Sequence, residues 1–255
     1  MELNYSGLLS LIVILIPVIL IGVYYKLHIV KRTLTSVFRM TIQLAAVGLV
    51  LQYVFKIENP WINAGYALFM ITVAAFNAIH RTKLNYKRYG LAIFASFFLS
   101  VGTILFFFNA FVVQLENLFV AQYMVTVTGM LLGNALTGII ITMNAFFSSV
   151  KENHKAYDYT LAQGASRREA LLPYIRHALL SSINPNLSSI ETIGLVALPG
   201  MMNGQILAGS IPLTAIKYQL AIMVAILGVS FIGSWLAIVL CVKRAFNDYD
   251  VMIQD

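Results

Sequence analysis

The chain has 255 residues, 60% of them hydrophobic and only 11% charged, with a mean hydropathy of +0.83. Soluble domains carry roughly 25% charged residues, so this composition excludes a water-facing globular surface and specifies an integral membrane protein. The net charge of +7 does not point to nucleic acid, because the positive residues flank apolar runs instead of interleaving with aromatics.

The first apolar span covers 8–25 and is interrupted by Pro17 and Gly22. It does not read as a signal peptide: the residues before it carry Glu2 and no Lys or Arg, and no small-x-small cleavage site follows. Further spans are predicted at 37–55, 61–79, 90–113 and 118–147, each near the roughly 20 residues a spanning helix needs. A polar stretch follows, then a weak span at 178–198 containing Pro185 and Glu191, then a strong one at 213–242. The expected fold is therefore all-α, one transmembrane domain over 1–255 with about seven helices. With the N-terminus outside and the C-terminus inside, only Lys56 and Lys217 of the seventeen Lys and Arg fall on the outer side, as the positive-inside rule requires.

The polar stretch 151–185 is the longest in the chain and must sit in water beside the membrane. Ser166 followed by Glu169 has capping-box spacing, in which hydroxyl and carboxylate satisfy free amides at a helix start. Gly164 marks the break between two short helices. Leu161, Ala162, Gly164 and Ala165 would offer a small apolar knob, with Arg167, Arg168 and Glu169 as its polar rim. Such a pair suits docking to a partner; the alternative is a helix resting on anionic lipid headgroups through its arginines.

Within the spans, the polar residues are few. Arg39 and Gln43 lie on one helix face. Gly129 and Gly133 have the small-xxx-small spacing that admits a neighbouring helix, and Asn134 and Asn144 share that helix. Glu191 is the one carboxylate in any predicted span, where charge is costly, and is a functional candidate on that ground. LPGMMNGQILAG (198–209) has too many glycines for a stable spanning helix and is expected to form a turn and a short half-helix near the outer face. Met201 and Met202 there are soft-metal ligands or flexible packing residues. His28, His80, His154 and His177 all lie outside the spans, and the single Cys241 excludes a multi-cysteine site, so metal ligands are unassigned. No G-x-x-x-x-G-K loop is present; energy from ATP would have to come from another chain.

Four segments carry a resemblance. The polar stretch resembles the coupling loop of ABC-transporter permeases, whose Glu-Ala-Ala-x-x-x-Gly motif falls on Asp158, Tyr159, Thr160 and Gly164; the acid is here Asp and both alanines are absent. Arg39-Met-Thr-Ile-Gln43-Leu44 with Gly48, Gly129 to Asn134 in the fifth span, and Leu198 to Gly209 are similar to FetB-like permeases, which are associated with iron export in bacteria and, in plant relatives, with aluminium tolerance. The similarity runs from the second span to the last.

The resemblance implies a plasma-membrane, multi-pass permease subunit of an ATP-driven exporter for iron or a related cation. It would bind no cofactor itself, act as a homodimer, and pair with a cytoplasmic ABC ATPase holding ATP and Mg. A coupling loop at 148–177 would meet that ATPase through Asp158, Leu161, Ala162, Gly164, Ala165, Arg167 and Glu169. Gln43, Asn134, Glu191, Pro199, Gly200, Met201, Met202 and Gln205 are the expected cargo path or gate. An uptake permease is an alternative, since the loop also resembles those of importers. An intramembrane enzyme needs a nucleophile and base, or metal ligands, within the bilayer; no His lies there and Glu191 is alone.

Overall fold

The computed structural model describes residues 12–247 and 250–253, and every regular element among them is helical. The part of the first predicted span before residue 12 lies outside the described residues. The chain divides into two compact units, Met1–Ile57 and Glu58–Asp255.

In the first unit, α1 (Ile12–Tyr24) carries Pro17 and α2 (Val30–Ile57) follows a tight turn. Gly22 is needed there because a Cβ would lie 3.1 Å from the Ile29 side chain. Helix α2 begins seven residues before the predicted span at 37. No Gly or Pro interrupts Val30 to Ser36, so the helix extends past its apolar segment.

In the second unit, α3 (Pro60–Thr82) starts with Asn59 accepting a hydrogen bond from the Trp61 N–H and Pro at its first turn. Helix α4 (Tyr86–Phe107) starts the same way at Asn85 and passes into a π-helical turn, Phe108–Val112. These are the local N-cap signals of short polar side chains. Helix α5 (Ala121–Glu152) is followed by the short α6 (His154–Ala162), then α7 (Arg167–Thr192), α8 (Gly200–Leu207) and α9 (Pro212–Ala245).

Among the described residues, five elements are long and apolar enough to cross a membrane: Val30–Ile57, Pro60–Thr82, Tyr86–Val112, Ala121–Glu152 and Pro212–Ala245. The expected separation of a docking stretch from a sixth span at 178–198 does not hold. Helix α7 runs unbroken from Arg167 through Pro173 and Pro185 to Thr192, a length of about 39 Å. Each proline removes a backbone bond, but Leu171, Ala178 and Ser182 line one buried face that keeps the helix continuous. Residues 193–198 form a turn instead of the end of a span.

The core of this unit forms around α9, which packs on α4, α5 and α7. Small residues permit the close approach. A Cβ on Gly138 of α5 would stand 3.2 Å from both Ser182 Oγ and Ser234 Oγ, and one on Gly233 of α9 would stand 3.1 Å from Ser100 Oγ. The hydroxyls of Ser182 and Ser234 meet at 3.0 Å across the α7–α9 contact. The predicted contact glycines are less crowded: Gly129 would meet only the tip of Met70 at 3.4 Å, and Gly133 meets nothing within 4 Å.

These distances separate two substitutions on one helix. Gly138→Leu should overpack the α5–α7–α9 junction by about 1–3 kcal/mol and lower the thermal midpoint of the detergent-purified protein. Gly133→Leu should stay within about 0.5 kcal/mol of wild type. Equal midpoints for the two would overturn this account of the packing.

Candidate functional site

Helix α6 forms at once after α5. Asn153 closes one helix and opens the next, its carbonyl accepting from the Ala156 and Tyr157 amides at 3.0 and 3.1 Å. The helix ends in a Schellman turn: the Gly164 N–H donates to Leu161 O at 2.9 Å and the Ala165 N–H to Thr160 O at 3.3 Å. Gly164 sits at φ +89°, a left-handed conformation that only glycine takes without steric cost. Two residues on, Ser166 caps α7 by the full capping box. Its amide donates to Glu169 Oε2 at 2.8 Å, its hydroxyl donates to the same oxygen at 2.7 Å, and its Oγ accepts from the Glu169 amide. These hydrogen bonds, the hydroxyl's first, hold the Glu169 carboxyl below the usual carboxylate range.

The elbow so built is largely open to water. Asp158, Ala162, Gly164, Arg168 and Glu169 are exposed, while Leu161 and Ala165 are half-buried, Leu161 against the protein's own core. Two members of the expected docking face are already engaged. Glu169 serves the cap, and Arg167 turns onto the chain's own tail. There its Nε forms an ion pair with Asp250, its Nη2 donates to Asn247 O at 3.1 Å, and its guanidinium lies 5.8 Å from the centre of the Phe246 ring.

Tyr157, buried in the middle of α6, joins this cluster. Its ring centre is 5.6 Å from that of Phe246 and its hydroxyl donates to Asp250 O at 2.9 Å. Burial, with the Asp250 carboxylate adding, pushes the phenol up to about 12. Sequence reasoning missed Tyr157, Phe246, Asn247 and Asp250. The one local signal was an aromatic side chain set in a polar stretch.

The same end of the unit holds the starts and ends of other helices. Arg244 Nη1 donates to Arg88 O at 3.0 Å, tying α9 to α4, and the Tyr174 hydroxyl donates to Asn153 O at 3.4 Å. The opposite end carries the candidates of 198–209. Pro199 precedes α8 and Gly200 begins it, and Asn203 Nδ2 donates to Leu198 O at 3.1 Å. Met202 is buried. Met201 and Gln205 line a cavity of about 260 Å³ with Phe108, Tyr123, Met130 and Tyr218. The hydroxyls of Tyr123 and Tyr218 lie 3.4 Å apart at the starts of α5 and α9.

Asn134 and Glu191 of the same unit do not join this cavity. Asn134 spends its amide on Met130 O at 2.9 Å within its own helix. Glu191 is exposed, one residue from the end of α7, and Gln43 is exposed on α2 in the first unit. Among the described residues no three His, Cys, Asp or Glu side chains come together in a way that could hold a metal ion.

Residues 5–246 match the family described as "Uncharacterised protein family (UPF0014)". The chain is 35% identical to "Protein ALUMINUM SENSITIVE 3" of Arabidopsis thaliana over 93% of its own length and 85% of the relative's. It is 30% identical to "Probable iron export permease protein FetB" of Escherichia coli, over 96% and 92%, and 33% identical to "UPF0014 membrane protein STAR2" of Oryza sativa, over 87% and 76%. No solved structure matches. With its apolar helices and these relatives, the chain is a multi-pass membrane protein.

The capping box gives a local test. Ser166→Ala should cost the start of α7 about 1 kcal/mol and raise amide exchange at 167–170 roughly fivefold, leaving exchange in α9 unchanged. Wild-type protection at 167–170 would mean that packing alone holds this end.

Proposed function

Because the chain belongs to the UPF0014 family, we propose that it is the membrane-spanning permease subunit of an ATP-driven ABC exporter, moving iron or a related cation out of the cytoplasm across the cell membrane. The observation that carries this reading is the elbow of α6 and α7. It is a rigidly capped, water-exposed helix pair whose second helix continues without a break into the bundle. A push on such an elbow moves a lever of about 39 Å. The cargo class comes from the relative named as a probable iron export permease.

On this reading the exposed side chains Asp158, Ala162 and Arg168 face a cytoplasmic ATPase, which holds ATP and Mg and supplies all the hydrolysis. The permease itself is no enzyme. It works as a homodimer, as its resemblance to ABC permeases implies. ATP-driven closure of the ATPases displaces the elbow, α7 shifts, and the outer cavity beside α8 changes its access. Met201 and Gln205, with Tyr123 and Tyr218, stand at the outer mouth of the cargo path. Asn134 and Glu191 line it only in a state or assembly that turns them inward.

Seven crossings accompany this reading: α1, the five long apolar helices, and α7. The N-terminus is then outside and the C-terminus inside. The elbow, the Arg88 region and the end of α9 share the cytoplasmic side, and α8 lies outside.

Gly164→Val tests the docking role. The glycine has open space around it but a φ of +89°, so valine strains the backbone by about 1–3 kcal/mol without a packing clash. Metal export by cells expressing the variant with its ATPase should fall at least tenfold at unchanged membrane abundance. Wild-type export with intact ATPase association would sink the assignment.

Topology is read separately by a membrane-impermeant thiol reagent on intact cells, in a Cys241→Ala background. Ser210→Cys, between α8 and α9, should label, and Lys155→Cys on α6 should label only after lysis. The reverse pattern would reject the orientation and with it the cytoplasmic elbow.

A further inference from the structure

The Asp250 cluster joins elements that the chain places far apart. One residue holds both arms of the elbow: its carbonyl receives the Tyr157 hydroxyl from α6, and its carboxylate pairs with Arg167 at the first turn of α7. That residue is in turn fixed to the end of α9. The Ile253 amide donates to Ala245 O at 2.9 Å, the Asn247 amide to Val251 O at 3.0 Å, and the Val251 amide to Asn247 Oδ1 at 2.9 Å. Phe246, which closes α9, receives the Tyr157 ring and the Arg167 guanidinium. Asp250 itself sits at φ +62°, a conformation in which Asp and Asn are enriched among non-glycine residues.

We propose that this tail is a clasp that makes α6, the start of α7 and α9 move as one body, with Arg167 and Asp250 as its positioning pair. The inference rests on the permease reading above. Helix α9 is about 51 Å long, and its far end supplies Tyr218 to the outer cavity. Displacement of the elbow is thereby carried by a second rigid element besides α7, directly to the cavity that Met201 and Gln205 also line. An elbow without the clasp still docks an ATPase but passes less of its motion to the cavity.

A pure stabilising role predicts something different, and the pair allows the two to be separated. Asp250→Asn keeps the backbone conformation and the Tyr157 bond and removes only the charge. Arg167→Gln removes the other partner, and Arg167→Lys retains the charge. In the full chain, Asp250→Asn and Arg167→Gln should each raise amide exchange across 154–162 at least threefold. The double variant should be no worse than the poorer single, because residues sharing one interaction are not additive. Arg167→Lys should recover most of the protection.

Co-purified with the ATPase and placed in liposomes, the two charge-removing variants should retain the ATPase yet move at least fivefold less iron per ATP hydrolysed. The clasp is overturned by wild-type exchange at 154–162, by a normal transport-to-hydrolysis ratio despite raised exchange, or by loss of the ATPase from the single variants. If the wild-type chain retains no ATPase, the permease reading fails, and the exchange measurement alone decides whether the clasp binds the elbow to α9.

Discussion

Helix α9 has to be approached by three neighbours at distances that ordinary side chains forbid. Lipid tails are as apolar as leucine, so helices in a bilayer gain nothing by hiding oily surface from one another; they associate by close packing and hydrogen bonds. Gly233 against Ser100, and Gly138 against Ser182 and Ser234, provide that packing. Ser100 satisfies its hydroxyl on Ser96 O within its own helix, and Ser182 and Ser234 satisfy theirs on each other, so these three hydroxyls are not stranded. The ends of α4, α5 and α7 are located by this junction, and with them both candidate regions.

At one end, local and long-range bonds act on the same few residues. The Schellman turn at Gly164 and the capping box at Ser166 give the elbow its shape from neighbours within five residues. Its orientation is fixed by Tyr157 and Arg167 reaching residues more than eighty positions away. At the other end, side-chain amides do equivalent work: Asn63 donates to Phe119 O at 2.8 Å and Asn109 to Leu118 O at 3.1 Å, holding the loop before α5. The hydroxyls of Tyr123 and Tyr218 meet at this same end, where Met201 and Gln205 of α8 line the same cavity.

Range of interaction separates what the residues announce locally from what the fold adds. Membrane class, most helix positions, the break at Gly164 and the Ser166–Glu169 box were legible because composition and hydrogen bonds between near neighbours determine them. The short helix in 198–209 was legible too, since glycine and proline leave little else. Arg167 and Glu169 look like a free rim, yet Glu169 is engaged by Ser166 only three residues before it, whereas the partner of Arg167 lies 83 positions on. Asp250 competes for one and the cap for the other.

What the sequence determined by itself was therefore a multi-pass helical protein with a capped, water-facing elbow. Apolarity, charge flanks and caps act within a turn or two of helix and need no knowledge of the rest of the chain. Only the tertiary structure decided that the elbow's second helix is also the next long helix of the bundle, since burial of Leu171, Ala178 and Ser182 outweighs two prolines. It also decided that Gly138 rather than Gly133 is the contact glycine, and that Met201 and Gln205 share a cavity from which Asn134 and Glu191 are absent. Each of these depends on which helix faces which, a choice made by close packing around α9 and invisible in any single segment.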